Sequence, residues 1–527
     1  MLETFLACVV VVLLVTTVSI ADDADPAPVD VLKQLGWDPS ATRQTDAQGR
    51  LDAASRAPDK PVRLTLLDAI RYSLEGNQDI EVVSYTPRQS AAEIESAESV
   101  FDTSVFADTS FRREPNLQSS VTEIVMEDTG VFQTGIRKPL TTGGSLSTFL
   151  EMRYGDLINS EFDRTYRYIF APTVEVRQPI LKNFGSRQEK AAIKIAKHQA
   201  RISDEQLRQK VIEVATRVSK VYWQLYLFGE LVKINRQNLE MAEEVLRRET
   251  VRLAQGISQQ IDVERASSNA QARRSTLLQS RQRFESAMDQ LKLLINSPTL
   301  TIDSGVQIIP IEAPQTASIQ VDQTRIIESA LNHRPEIISA IQKLRIRQVE
   351  ENLTAHKRLP NLDVFGRYSL SGYGTEFNQA VSDTGVDDND AWAVGLNFEW
   401  PIGNRSAKSS YRKKQLEREQ AVAQVKRIGN QIKLDVKQVL LAIAYAGGEI
   451  DSTRQAKAAA EKVVTGEFAR FDIGQKTNEE LLRAQDLLAA ASRNYVRAVV
   501  DYNISMAELD RAQGILPEQI AIEDHLK

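Results

Sequence analysis

The 527-residue chain has one cysteine, Cys8, and four histidines, His198, His333, His356 and His525. One thiol makes neither a disulfide nor a Cys/His metal cluster, and the histidines have no partners at metal-ligand spacing. No Gly-rich phosphate loop and no nucleophile elbow is present. The pattern therefore predicts no cofactor, no metal and no catalytic residue, and an enzyme is not expected. Strong positive charge is also missing: the formal net charge is -6. Nucleic acid, which needs a basic surface, is not an expected partner. Charged residues make up 26% of the chain and the mean hydropathy is -0.31, which excludes a multi-span helical membrane protein.

Long apolar runs are scarce as well. The one at the start, Phe5 to Ala21, ends in small residues before Asp22 and Asp23. Its length and its end predict a secretory signal peptide over 1–21; the alternative is a membrane anchor. Glu3 stands where a signal ordinarily carries Lys or Arg. Cys8 lies in this run, so cleavage leaves a chain without a thiol. Residues 22–62 are rich in Asp, Ala and Pro and are expected to be a mobile leader.

Proline is absent from Ile180 to Ser297 and from Ile402 to Leu516. Proline breaks helix interiors, so both stretches permit helices of unusual length. Val211, Val214, Val218, Val221, Leu225, Phe228 and Val232 step by threes and fours, which is a heptad. Ile432, Val436, Val439, Ile443, Ala446 and Ile450 keep the same beat. A helix from Ser186 to Ala254 would span roughly 100 Å, a rod that must pack on other rods.

The two stretches belong to an internal repeat. Repeat unit 1 is expected over 63–297, with strands at about 101–178 and a long helix and return helix at about 185–297. A linker, 298–322, leads to repeat unit 2 over 323–516. Its strands are expected at about 361–401 and its long and return helices at about 405–514. A tail, 517–527, follows. Thr65 to Asp68 opens unit 1 with capping-box spacing. Asn77 in unit 1 and Arg334-Pro335 in unit 2 start corresponding helices of about 20 residues by the reading of the repeat. Strands end at Pro179 and Pro401, and Gly256 and Gly474 interrupt the long helices at comparable distances further on.

From Trp392 to Trp400 the residues alternate strictly, Trp392, Val394, Leu396, Phe398 and Trp400 against Ala393, Gly395, Asn397 and Glu399. Such a segment suits a transmembrane β-strand of about 9–11 residues or a half-buried soluble strand. Phe170, Val174 and Val176 alternate with Thr173, Glu175 and Arg177; Leu362, Val364, Tyr368 and Leu370 with Asp363, Arg367 and Ser369; and Phe101, Val105, Ala107 and Phe111 with Asp102, Ser104, Asp108 and Ser110. Four such strands cannot close a membrane barrel alone, because an open edge in lipid leaves backbone groups unsatisfied. Pooling strands from several chains removes the edges. Residues 112–168 hold two further strand-like runs, at 131–136 and 145–154. They either enlarge the barrel or form an outside hairpin.

Over about residues 62 to 516 this order resembles the outer-membrane efflux protein family, the TolC-like proteins. The resemblance rests on the duplicated helix–strand–strand–long-helix unit, the Pro179 and Pro401 strand ends and the two glycine turns. The most family-like stretch is Phe471 to Gln485 (FDIGQKTNEELLRAQ), with Leu253 to Ala266 (LAQGISQQIDVERA) as its unit 1 partner. The resemblance implies a mainly α protein with a β membrane portion. Three protomers would form an α-helical barrel and, with four strands each, a shared twelve-stranded transmembrane β-barrel. It implies a bacterial outer-membrane location with a long periplasmic portion in contact with outer-membrane lipid, and a passive export duct of a tripartite efflux or type I secretion system. Its expected partners are a periplasmic adaptor and an inner-membrane transporter. Gly256 and Gly474 would mark the adaptor-docking tips, and glycine there also suits a plain helix stop. Asp262 and Lys476 align with a gate latch, or are two solvated charges. Glu480 aligns with a carboxylate constriction, where Arg483 departs from the family's acidic pattern. The alternative is a periplasmic coiled-coil adaptor or structural envelope protein without a barrel. Such a protein has no need of nine-residue alternating strands at matching parity in both repeats.

Overall fold

The computed structural model describes residues 61–113, 128–159, 164–302, 304–317, 322–386, 389–473, 475 and 478–515. The expected signal segment, nearly all of the leader, Gly474, Lys476 and the tail lie outside the described residues. Two compact units are present. Of the smaller, Met1–Val62 with Thr301–Gln307, the described part shows the Val62 amide donating to the Gln307 carbonyl at 2.9 Å. Everything below concerns the larger, Arg63–Leu300 with Ile308–Lys527.

Each repeat builds one long helix flanked by two shorter ones. In the first repeat β1 (Val62–Leu64) precedes α1 (Leu66–Gly76) and α2 (Gln78–Glu98). Thr65 caps α1, its hydroxyl oxygen taking the Asp68 amide at 3.1 Å. Asn77 caps α2 through the Asp79 and Ile80 amides. After the sheet strands come α3 (Ser186–Glu189), α4 (Ala191–Ala254) and α5 (Gln260–Ile295). The second repeat has β6 (Ile308–Pro310), α6 (Gln323–His333), α7 (Pro335–His356), strands, α9 (Arg405–Asp472) and α10 (Asn478–Gln513). The 64 residues of α4 rise about 96 Å and the 68 of α9 about 102 Å.

The shorter helices meet end to end beside the long ones. Asn77 donates to the Leu294 carbonyl at 3.0 Å and Asn296 to the Gly76 carbonyl at 2.9 Å, joining the end of α5 to the start of α2. The other repeat does the same with glycine: Gly514, at φ +72°, closes α10 against the start of α7. A Cβ there would come within 2.8 Å of the Arg334 Cα. The core follows the heptads. Ile432, Val436, Ile443, Ala446 and Ile450 are all buried on α9, with Val439 packed against them. On α4 the buried line is Val211, Val214, Val218, Tyr222 and Leu225. Tyr222 replaces the expected Val221, because a helix of 3.6 residues per turn drifts off a 3.5 repeat.

Tyr222 also ties in the segment between the repeats. Its hydroxyl donates to the Leu64 carbonyl at 2.9 Å and accepts the Glu312 amide at 3.1 Å. Tyr502 donates to the Ala317 carbonyl, and Asn503 both donates to and accepts from the Gln315 backbone. The Ile311 amide reaches the Leu64 carbonyl at 3.2 Å beside the small β1–β6 pairing.

The main sheet holds β2 (Ser104–Arg113), β3 (Asp128–Pro139), β4 (Ser145–Asn159), β5 (Arg164–Pro179), β7 (Asn361–Leu370) and β9 (Asp390–Glu399), hydrogen-bonded in that order. β8 (Gly372–Gly374) continues β7 along β5, and a short helix α8 (Phe377–Ser382) leads on to β9. This sheet has more strands than the four that the family resemblance implied for the barrel. The runs inside residues 112–168 are full strands, and they stand between β2 and β5. Phe101 is not in a strand: it ends a 3-10 turn, Ser99–Phe101, so β2 starts three residues later.

Candidate functional site

Two features carry chemistry: the tip where α4 turns into α5, and the two faces of the sheet. At the tip, the Gly256 amide donates to the Leu253 carbonyl at 2.9 Å and the Ile257 amide to the Arg252 carbonyl at 2.9 Å. Gly256 sits at φ +72°. This is a Schellman stop, and it needs a residue that tolerates left-handed backbone. α5 restarts at once through a capping box, with the Gln259 side chain on the Asp262 amide and Asp262 Oδ2 on the Gln259 amide at 3.3 Å. Asp262, the candidate latch carboxylate, is thus held in place by its own helix. Ser258 steadies the turn from the other side, donating to Glu249 Oε2 at 2.6 Å, and Glu249 is only 3% exposed.

Behind the turn, α4 is joined to α9 by two cations lying on aromatic faces. The Arg248 guanidinium stands 4.8 Å from the Phe468 ring centre, and that of Arg252 stands 4.9 Å from Phe471. Phe471 is buried with Val245, Ala266 and Leu481, so all four helices of the tip meet in one cluster. An open cavity of ≈ 190 Å³ above it is lined by Arg247, Arg248, Val251, Arg252 and Phe471. Hydrogen bonds from Arg247 and Arg248 hold the Glu244 carboxyl down at about 2. In the sequence Phe471 stands out only as part of the Phe471–Gln485 motif, and nothing local marks Arg248 or Arg252.

The start of α10 carries the candidate constriction. Arg483 Nη2 donates to Glu479 Oε1 at 2.6 Å, both side chains well exposed. Glu before Arg at i,i+4 is the favourable order on a helix. Glu480, the next residue in the same turn, is half-buried. Lower down, Arg273 of α5 pairs with Asp486 of α10.

The sheet sorts its residues by face, with one register shift in the β4–β5 ladder between Tyr154 and Leu157. Partners run Val105↔Ile136, Ile136↔Thr148, Thr148↔Val174, Val174↔Tyr368 and Tyr368↔Trp392. Residues directly opposite share a face. One face therefore carries Val105, Phe111, Phe132, Ile136, Leu146, Leu150, Tyr154, Val174, Val176, Tyr368, Val394 and Leu396, all exposed. Val394 is 71% exposed. The opposite face holds Gln133, Glu151, Glu175 and Arg367, where Gln133 donates to Glu151 at 2.6 Å and Arg367 to Glu175 at 2.6 Å. Aromatics gather near one end of the apolar face, with Tyr154 and Tyr168 at 5.3 Å and Phe377 of α8 edge-on to Phe170 at 6.2 Å.

The profile of the family described as "Outer membrane efflux protein" matches residues 139–297 and 326–514. The chain belongs to the outer membrane efflux protein family. It is 22% identical over 325 residues to the outer membrane protein TolC of Vibrio cholerae, covering 62% of this chain and 73% of TolC. It is also 22% identical over 357 residues to the outer membrane efflux protein BepC of Brucella suis, covering 66% and 73%. The crystal structure of the Campylobacter jejuni CmeC outer membrane channel shares the fold, with TM-score 0.62 and 15% identity over 88% of each chain. As a member of this family the protein is an outer-membrane efflux channel protomer with a periplasmic portion. Its relatives are channel proteins, not enzymes.

Proposed function

We propose that three copies of this efflux protein close a transmembrane β-barrel and a helical barrel, a passive duct for export across periplasm and outer membrane. The observation that carries the reading is the sheet. One face is largely apolar and exposed, the other is mostly polar and internally bonded around Phe106, Phe149 and Phe365, and the β2 and β9 edges are unpaired among the described residues. In lipid the apolar face is satisfied and the edges are not, so other copies must supply the missing pairing. A second support is α9, where Leu434, Leu441 and Tyr445 form an exposed apolar stripe away from the chain's own core.

The glycine turns at Gly256 and Gly474 are the surface for a periplasmic adaptor, which links the duct to an inner-membrane transporter that supplies the energy. The tip closes through an Asp262–Lys476 latch, and three Glu480 carboxylates ring the narrowest point while Glu479 engages Arg483. Detergent extracts of outer membranes should give a trimer by native mass measurement, and that trimer should conduct in planar bilayers. A buffer-soluble monomer would contradict the duct. Multivalent cations should block the open current if Glu480 lines the constriction; an unaffected current removes that role.

A further inference from the structure

We propose that each protomer places six strands in the shared wall, so that three copies close an eighteen-stranded barrel. β9 of one copy then pairs with β2 of the next. This rests on the trimeric duct proposed above, and goes beyond it in the width and composition of the membrane pore.

The pairing of β2 comes first. Its ladder runs against β3 from Ser104↔Arg137 to Arg113↔Asp128. β3 in turn pairs with β4, and β4 with β5. A wall of four strands would need β2 beside β5, and that place is taken. The β3–β4 hairpin is therefore the link between β2 and the rest of the sheet.

Length and facing agree with a place in the wall. β3 has 12 residues and β4 has 15, both long enough to cross a bilayer core. Their apolar residues Phe132, Ile136, Leu146 and Leu150 are exposed on the face that also carries Val394 and Leu396. Their polar residues Gln133 and Glu151 bond to each other on the face that carries Glu175 and Arg367. A hairpin packed outside a narrower barrel would set one face of charged and amide groups against lipid, which is costly.

The edges also fit. β2 and β9 have 10 residues each. Successive strands alternate in direction along the sheet. With six strands, β9 of one copy runs antiparallel to β2 of its neighbour, and both present their apolar side chains to the same surface. Strands about 4.8 Å apart and tilted about 40° give eighteen strands a backbone diameter of about 36 Å, against about 24 Å for twelve. The membrane segment would then have roughly twice the cross-section that the four-strand pattern allows. The narrow point of the duct falls at the helical tips, not in the membrane.

The test uses the full chain, extracted as the trimer and placed in lipid nanodiscs. Single-particle imaging should count eighteen strands in the wall, with a width near the larger figure. In a Cys8→Ser background, Phe106→Cys or Asp108→Cys is combined in turn with Ala393→Cys or Asn397→Cys, all on the polar face. At least one combination should give oxidised, covalently linked dimers and trimers. An intact trimer with twelve wall strands and residues 128–159 outside overturns the six-strand proposal while leaving the duct standing. A particle that is not a trimer overturns the duct itself.

Discussion

Val394→Arg and Asn397→Arg test the two-faced sheet most directly, because the residues sit three apart on β9 and face opposite ways. Val394 lies mid-strand, opposite Gly366, with 71% of its surface uncovered by its own chain. If that surface meets water, an arginine there is an ordinary surface change, worth about 0.5 kcal/mol or less. If it meets lipid, arginine near the midplane costs about 2–4 kcal/mol. That is roughly 30- to 700-fold in the folding equilibrium of each protomer. Asn397 is opposite Asp363 on the polar face, where a guanidinium gains a cross-strand partner worth about 0.2–1 kcal/mol. Urea titration of the protein refolded into lipid vesicles reads both changes. Val394→Arg should move the midpoint strongly downward and Asn397→Arg should leave it in place or raise it. Equal effects, or a silent Val394→Arg, would refute the lipid-facing assignment.

Gly256→Ala should cost about 1–2 kcal/mol, purely from the left-handed backbone, since a Cβ there meets nothing within 4 Å. Hydrogen exchange at the α4–α5 turn should speed up while the core of α4 stays protected. Tyr222→Phe removes the hydroxyl that serves both Leu64 and Glu312, and should cost about 1–3 kcal/mol in chemical denaturation. Acid should weaken the helical part below about pH 4.5, the ordinary value for the Glu336 carboxyl. Burial alone would raise the Glu336 carboxyl, but hydrogen bonds from Arg334 bring it below the ordinary value. A depressed folded value means that the stabilisation is complete above the unfolded value and is lost as pH falls through the folded one. Melting temperature against pH should fall less steeply in Glu336→Gln; an unchanged slope removes Glu336 from the account.

The rods were legible because their signal is repeated over many turns. On α9 every heptad position from Ile432 to Ile450 lies in or against the core. A single mismatch such as Val221 for Tyr222 is a fraction of a turn. Strand parity was equally plain at β5, β7 and β9, where the alternation is strict. The two strands of the 112–168 excursion were visible as strands but not as members of the main sheet. Membership depends on register, and register is decided by partners remote in sequence, such as Ser145↔Arg177. The tip shows the same limit. Its turn glycine announces itself locally, whereas Arg252 on Phe471 joins residues more than 200 apart, and no spacing rule links them. The helix α8 went unforeseen because its six residues are too few for a period to show.

The proposed latch would place a second demand on Asp262, whose carboxylate already caps α5. The cap donor, the Gln259 amide at 3.3 Å, falls on Oδ2, and the Ser258 hydroxyl proton goes to Glu249. A carboxylate has two oxygens and about four acceptor sites, so the cap leaves acceptor capacity for a cation. A cap is worth about 0.5–2 kcal/mol and an exposed ion pair about 0.2–1 kcal/mol. The proposed latch would therefore be the weaker of the two and would open while the turn keeps its shape, which is what a gate requires. Substitutions separate the two jobs. Asp262→Asn keeps an oxygen for the cap and removes the charge; Lys476→Glu removes the latch and leaves the cap alone. Both should raise single-channel conductance in planar bilayers, with the α5 amides as protected as in the parent. Asp262→Ala should raise conductance and also loosen α5. If Asp262→Asn and Lys476→Glu conduct like the parent, the pair is not a latch, and Asp262 serves only to start its helix.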